Sequence, residues 1–264
     1  MPVSLSRHAR LVVAHRLRAA GCVFAEDEVA LLAGAASTPG DFAAMVERRI
    51  AGLPLEQVVG WAQFCDLRVA VDPGVFVPRR RTEFLVSEAA LLGAGRPRPP
   101  VVVDVCCGTG AIGLALAAAL GEIELHAVDI EPAAARCARR NLAGIGLVYE
   151  GDLYEPLPGA IRSGVDLLVA NVPYVPTAQI VFLPGEARRH EPPVTLDGGV
   201  DGLDLARRVI DGAPSWLATG GHLVIETSER QAASVFDIVA RSGLLARVAT
   251  CEELDATVVI AAKR

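Results

Sequence analysis

Val101-Val102-Val103-Asp104-Val105-Cys106-Cys107-Gly108-Thr109-Gly110-Ala111-Ile112-Gly113 is an apolar run, then a glycine turn, then the first residues of a helical pattern. A short run without polar alternation fills a sheet covered on both faces, and glycines let the chain reverse sharply into a helix. The same alternation continues downstream. Apolar runs at Ile123–Asp129, around Leu147–Glu150, Asp166–Ala170 and His222–Glu226 are interleaved with helical patterns at Ala111–Leu120, Pro132–Ala143, Leu203–Leu217 and Ser228–Arg241. This predicts an α/β fold with a parallel, doubly wound sheet. The closing runs Ala246–Thr250 and Thr257–Ala261 lack a helix between them and are expected to pair antiparallel at one edge.

Upstream the pattern is different. From Leu5 to about Ala36 apolar residues fall at helical spacing, broken near Gly21 and restarted by Glu26-Asp27-Glu28, which suits a helix N-terminus. Thr38-Pro39-Gly40 is turn chemistry, and Asp41 is the expected N-cap of a helix running to about Ala51. Residues 1–60 therefore read as a small helical domain, expected to recognise substrate. Phe64, Leu67, Val69 and Val71 face Val75, Phe76 and Val77 across Asp72-Pro73-Gly74, which predicts a β-hairpin turning there. After a helix at about Thr82–Leu92, the glycine- and proline-rich stretch from Gly93 to Pro100 is a connector, so residues 61–99 form hairpin and linker and residues 100–264 the main domain.

Composition limits the function. With 264 residues, 52% of them apolar, the chain can bury a large core, and no run reaches the roughly 18 apolar residues of a membrane span. Leu11-Val12-Val13-Ala14 is interrupted by His15, Arg16 and Arg18 with no cleavage site following, so a cytoplasmic protein is expected. A net charge of −6 argues against a broad surface for duplex nucleic acid. Almost every cation is arginine, Lys263 being the one lysine, so arginine runs reflect composition before chemistry. The six cysteines form no CxxC pair, and neither a metal site nor a disulfide framework is expected. His8, His15, His126 and His222 are scattered and none is assigned a catalytic role.

Gly108-x-Gly110-x-x-Gly113, with Asp129 about 20 residues further on, suits any adenosine-bearing cofactor: glycines admit the ligand and the acid accepts from a ribose. A nicotinamide dinucleotide and S-adenosylmethionine both qualify, and a plain tight turn is the simpler alternative. Asp104 separates the two ligands. An acid at the end of the first core strand suits an ammonium and a sulfonium, whereas a pyrophosphate prefers a helix N-terminus free of carboxylates. Asp152 and Leu153, after the third core strand, are placed to meet an adenine amino group and ring, or Asp152 simply caps a loop.

The second candidate site is Ala170-Asn171-Val172-Pro173-Tyr174, at the carboxyl end of a buried strand, where open sheets gather ligands. An amide or arylamine nitrogen is a poor nucleophile because its lone pair is delocalised. Two acceptors, the Asn171 side-chain oxygen and the Val172 carbonyl, would take both its N–H bonds and favour positive charge on nitrogen during attack. Pro173 fixes the turn and Tyr174 offers a ring face for a flat group. Without such a substrate the same residues would be an ordinary strand-ending turn. Arg79-Arg80-Arg81 is either a site for an acidic partner or phosphate or a solvated turn; Arg188-Arg189-His190-Glu191 is either a loop that closes over substrate or a plain surface loop. Glu226 either supports the site or caps the next helix.

Taken in order, Asp104 to Ile112, Ala127-Val128-Asp129-Ile130, Gly151-Asp152-Leu153 and Asn171-Val172-Pro173-Tyr174 resemble the protein glutamine N5-methyltransferases that modify peptide chain release factors. Pro54-Leu55-Glu56-Gln57-Val58-Val59-Gly60 with Phe64, Val77-Pro78-Arg79 with Thr82-Glu83, and Leu196-Asp197-Gly198-Gly199-Val200-Asp201-Gly202-Leu203 extend the resemblance from about Pro54 to the C-terminus. It implies a Rossmann-like class I S-adenosylmethionine-dependent methyltransferase sheet behind the helical domain and hairpin. Cys106, Cys107, Gly108, Thr109, Gly110, Asp129, Ile130, Leu153 and Asn171 are the implied cofactor contacts, joined by Asp104 and Asp152. Asn171 to Tyr174 would hold the glutamine amide, with Arg79 beside it, and the implied partner is a protein with an exposed glutamine loop, a release factor foremost.

Two features depart from the family pattern. Val172 replaces the first of two prolines, and Cys106-Cys107 replace a glycine-threonine pair. Competing readings are methylation of an exocyclic amine in RNA or DNA, a nicotinamide-dependent reductase, and a non-catalytic cofactor-binding adaptor.

Overall fold

The computed structural model describes residues 3–264, so residues 1 and 2 of the expected helical domain lie outside the described residues. Helices α1 (Arg7–Ala19), α2 (Ala25–Ala35), α3 (Pro39–Ile50) and α4 (Leu55–Val59) come first. Each turns an apolar stripe inward, and the stripes meet around Leu17, Leu32, Phe42 and Val46. Helix α3 starts differently from the expectation. Thr38, not Asp41, is its N-cap: the Thr38 hydroxyl accepts the Asp41 N–H and the Asp41 carboxylate accepts the Thr38 N–H, both at 3.1 Å. Pro39 favours this frame, because a residue without an N–H loses nothing at the first helical position.

Strands β1 (Trp61–Phe64) and β2 (Leu67–Ala70) make the hairpin, but not around Asp72-Pro73-Gly74. Trp61 pairs with Ala70 and Phe64 with Leu67, so Cys65 and Asp66 form a two-residue loop with φ of 46° and 60°. Two successive left-handed residues give the turn whose twist matches a hairpin. Glu83 helps hold it, accepting the Cys65 N–H at 3.1 Å. Asp72-Pro73-Gly74 is a local turn closed from the Val75 N–H to the Asp72 carbonyl at 3.1 Å. Val75 and Val77 beyond it are buried in irregular chain, filling gaps rather than pairing in a sheet.

Helix α5 (Glu83–Gly93) leads to the main sheet: β3 (Val101–Val105), α6 (Ala111–Leu120), β4 (Glu124–Asp129), α7 (Pro132–Asn141), β5 (Gly146–Glu150), β6 (Val165–Ala170), α8 (Gly185–His190), α9 (Asp204–Trp216), β7 (Leu217–Thr227), α10 (Ala232–Arg241), β8 (Leu245–Cys251) and β9 (Ala256–Ala262). The strand order is β5-β4-β3-β6-β7-β9-β8, with β9 antiparallel to both neighbours and the other pairs parallel. The last two runs pair antiparallel at one edge as expected, β8 being the edge strand and β9 the one inside it. The alternating exposure of β8 suits that place, whereas β9 is buried nearly throughout. Strand β7 starts five residues before the expected His222. It takes up the excess in a register shift opposite Val165 and Leu167, where Gly221 leaves no room for a Cβ, which would stand 2.5 Å from the Val165 carbonyl.

Strands β3 and β6 are buried at every residue. One face packs on α9 and α10 through Val103, Leu168, Ile210 and Val235, the other on α5 and α6 through Val102, Leu167, Leu85 and Leu116. Strand order runs one way from β3 through β4 to β5 and the other way through β6 and β7. The reversal opens a crevice between the carboxyl ends of β3 and β6.

Candidate active site

The glycine turn leaves β3 in a tight left-handed path: φ is 56° at Cys106, 56° at Gly108 and 76° at Gly110. Backbone bonds pin it, from Cys107 N–H to the Val128 carbonyl at 3.0 Å and from Gly110 N–H to the Cys107 carbonyl at 2.7 Å. Gly110 could not be replaced cheaply, since a Cβ there would stand 3.0 Å from Leu142 Cδ1. Cys106 occupies a conformation that costs an L-residue about 1–2 kcal/mol.

Asp129, the last residue of β4, accepts the Gly108 N–H at 2.7 Å on Oδ2 and the Glu131 N–H at 2.9 Å on Oδ1. Burial pushes its carboxyl pKa up, against those two hydrogen bonds. Each oxygen keeps a lone pair for a further donor. Asp104 is placed otherwise. It is fully buried beneath the turn, with Oδ2 accepting the Gly113 N–H at 3.1 Å in the first turn of α6 and Oδ1 unpartnered. Burial pushes its pKa up to about 7.

A cleft of about 500 Å³ lies in the crevice, a size suited to a small-molecule ligand. It brings together Arg79, Cys106, Cys107, Gly108, Thr109, Asp129, Ile130 and the whole of Asn171 to Tyr174. Asp104, Gly110, Asp152 and Leu153 are not in its lining. Asp152 pairs with Arg208 at 2.7 Å, and Leu153 is buried with a φ of 47°.

Asn171 follows the last residue of β6, and its Nδ2 donates to Thr82 Oγ1 at 3.1 Å. The Tyr174 hydroxyl is 3.5 Å from both Glu226 Oε1 and Arg81 Nη1. Burial, with Glu226 adding to it, pushes the Tyr174 pKa up to about 12. The segment after α8 braces this turn from outside. Gly198 N–H donates to the Val175 carbonyl and Thr177 N–H to the Gly199 carbonyl, each at 2.9 Å. Gln231 Nε2 bridges the carbonyls of Tyr174 at 2.9 Å and Asp201 at 3.0 Å.

Arg81, Thr82 and Glu226 also line the cleft; from sequence Arg81 and Glu226 were only alternatives and Thr82 had no role of its own. Glu226 is 2% exposed and makes no cap; Ser228 stands at the N-cap of the following turn. Ala170 pairs with Ile225, so Glu226 comes alongside Asn171. A lone acid at the end of an apolar strand was the available signal, the same as for Asp104 and Asp129. Thr82 offered only its place, with Val77-Pro78-Arg79 and Glu83, in the family resemblance. Arg79 stacks on Phe76, 4.9 Å from the ring centre, and forms an ion pair with the buried Glu191. Arg188 to His190, expected as loop, lie in helix α8, and the rim from Leu183 to Leu196 that contains it is tied to the helical region where Arg49 of α3 meets Glu186 at 3.1 Å.

These residues fit an adenosine-bearing cofactor, whereas Asp104, expected to select a sulfonium, lies under the turn and outside the cleft. A Cβ at Gly108 would meet nothing within 4 Å, so the turn is open to a ligand. Asp129 has acceptor capacity for a ribose diol, and Ile130, 51% exposed, offers an apolar surface next to it.

The methyltransferase small domain family matches residues 66–182. A release factor glutamine methyltransferase of Geobacter sulfurreducens is 39% identical over 202 residues, spanning 75% of this chain and 69% of that protein. A 4-amino-L-phenylalanine/4-methylamino-L-phenylalanine methyltransferase of Streptomyces pristinaespiralis is 37% identical over 207 residues, spanning 76% of this chain and 70% of that protein. Among solved structures, a ribosomal protein L11 methylase of Lactobacillus delbrueckii subsp. bulgaricus superposes with a TM-score of 0.53 at 18% identity, covering 74% of this chain and 84% of that one. At that identity the likeness is one of fold, the class I methyltransferase sheet.

Proposed function

The chain belongs to the release factor glutamine methyltransferase family, and from that membership we propose that it methylates the side-chain nitrogen (N5) of a glutamine in a peptide chain release factor in the cytoplasm. The observation that carries the reading is the cleft itself, where the Asn171 amide stands within reach of the glycine turn and Asp129. S-adenosylmethionine supplies, when bound, a methyl group on a positively charged sulfur.

Gly108 and Asp129 would hold its adenosine part, with Ile130 against the base. Asn171 Oδ1 and the Val172 carbonyl accept the two N–H bonds of the substrate amide, so the nitrogen lone pair is aimed at the methyl carbon and the developing positive charge is stabilised. Nitrogen would gain the methyl carbon as the carbon–sulfur bond breaks and its electron pair stays on sulfur, leaving a neutral thioether, and nitrogen would give up one proton to solvent. Val172 in place of proline leaves the main-chain acceptor intact, and its burial at 2% exposure, with the bracing of residues 175 and 177, supports the turn that proline would otherwise stiffen. Tyr174 presents its ring to the flat amide, held by Glu226 and Arg81 at its hydroxyl end. The helical region and the α8 rim would receive the glutamine-bearing loop.

Labelled S-adenosylmethionine and a purified bacterial release factor test the reading. The wild-type chain should label a single glutamine, and Asn171→Ala should lower kcat by about 10²-fold. Labelling that survives Asn171→Ala undiminished rules the mechanism out. The relative named for an amino-substituted phenylalanine supports a second reading, an arylamine acceptor, which poses the same planar nitrogen to the same acceptors. Labelling of 4-amino-L-phenylalanine, with none on the release factor, would choose it.

A further inference from the structure

We propose that Thr82, set by Glu226, is the positioning residue that decides which end of the Asn171 amide faces the cleft. The inference rests on the function proposed above. The two ends of an asparagine amide have nearly the same shape, but only the oxygen can accept from a substrate NH2. Turned the other way, the side chain would oppose a donor with a donor.

In the structure Asn171 Nδ2 points to Thr82 Oγ1 at 3.1 Å, which leaves Oδ1 for the cleft. A hydroxyl alone does not enforce that choice, because it both donates and accepts and would tolerate either end of the amide. Glu226 breaks the tie. It is 2% exposed beside Asn171, and an ionised carboxylate only accepts. Its Oε2 is buried without a hydrogen-bond partner, Thr82 and Glu226 line the same cleft, and the Thr82 hydroxyl favours the ionised carboxylate. The Thr82 proton is therefore drawn to Glu226, and the lone pair left on Oγ1 takes Asn171 Nδ2.

The relay depends on the charge of Glu226. Arg81, from the turn ahead of α5, and Tyr174 favour its anion, β9 presents the apolar Val258, and burial opposes ionisation, with a net upward shift. Protonation at low pH frees the Thr82 hydroxyl and makes the two amide orientations equivalent. The acid limb of the rate should carry this event.

Three variants test it against a release factor, with S-adenosylmethionine binding measured by calorimetry. Thr82→Val keeps the shape and removes the acceptor: kcat should fall at least tenfold, with the cofactor Kd within twofold of wild type, and Thr82→Ser should restore kcat to within threefold. Glu226→Gln cannot titrate, so the acid limb of log kcat against pH should vanish. If Thr82→Val fails to fold, Thr82→Ser and Glu226→Gln carry the test. A Thr82→Val enzyme within twofold of wild type, beside an inactive Asn171→Ala, overturns the proposal and leaves the proposed function standing. So does a parallel loss of cofactor binding in Thr82→Val, which marks Thr82 as a cofactor contact, or an unchanged acid limb in Glu226→Gln. A fully active Asn171→Ala removes the proposed function itself.

Discussion

Gly202 has a φ of 79°, and a Cβ added to it would stand 2.3 Å from the Tyr174 carbonyl oxygen and 2.5 Å from Gln231 Nε2. Both atoms belong to the brace behind the Asn171–Tyr174 turn. Gly202→Ala must therefore move the Tyr174 backbone or break the Gln231 bridge, although no substrate-facing side chain is altered. We expect a loss of about 1–3 kcal/mol in stability, from strain and overpacking, and at least a tenfold lower kcat. Denaturant melts and the methylation assay measure the two; wild-type kcat would show that the brace does not set the geometry. The segment from Leu196 to Leu203 was visible in the sequence as part of a family resemblance. What its glycines are for was not, because the close approach joins positions some thirty residues apart in the chain. Cys106 is the converse case: the sequence displays it as a departure, and only its φ of 56° shows that glycine would have been the unstrained choice.

At the scale of elements, α8 joins two parts of the molecule. Arg49 on α3 donates to both oxygens of Glu28 on α2, at 2.7 and 3.2 Å, to the Leu53 carbonyl at 2.8 Å and to Glu186 on α8 at 3.1 Å. Its side chain is 11% exposed and that of Glu28 9%, so this pair is largely removed from water. Removing one member of such a pair strands the other. Arg49→Ala should cost about 3–5 kcal/mol, whereas the Arg16–Glu47 pair on the surface, broken in the same way, should cost under about 1 kcal/mol. Chemical denaturation of both variants decides, and equal losses would mean that Arg49 is not held as described. Elements themselves were largely legible. The buried strands β3 and β6 appeared as unbroken apolar runs, and the hairpin was found but turned in the wrong place. Asp72-Pro73-Gly74 has the stronger local turn chemistry, while Cys65 and Asp66 are driven left-handed by pairing across β1 and β2, a tertiary demand that outweighs propensity.

For the whole molecule, Asp104 makes stability depend on pH. Its native pKa, about 7, lies above the roughly 3.9 of an unfolded aspartate, so between those values the folded state holds a proton that the unfolded state has released. Stability from this group is then greatest below pH 4 and is lost as pH rises towards 7. Asp104→Asn removes the titration and keeps an acceptor for the Gly113 N–H. The stability of the variant relative to wild type should accordingly rise from pH 5 to pH 8 in urea melts, and a difference that stays flat would show Asp104 to be ionised throughout. Among the described residues no helix is long and apolar enough to cross a membrane.

Local chemistry set a good deal before any folding was considered. Strand, turn and helix periods, the left-handed glycines and the Asn171-Val172-Pro173-Tyr174 turn are written in neighbouring residues, and so the sheet and both halves of the cleft could be placed from sequence. Tertiary structure alone decided that Asp104 lies under the turn instead of in the cleft, that Glu226 comes alongside Asn171, and that Thr82 reaches the Asn171 amide across 89 residues of chain. The reason is physical: backbone periodicity is a short-range property, whereas the direction of a buried polar side chain is fixed by whichever partner the packed sheet brings within 3 Å or so of it.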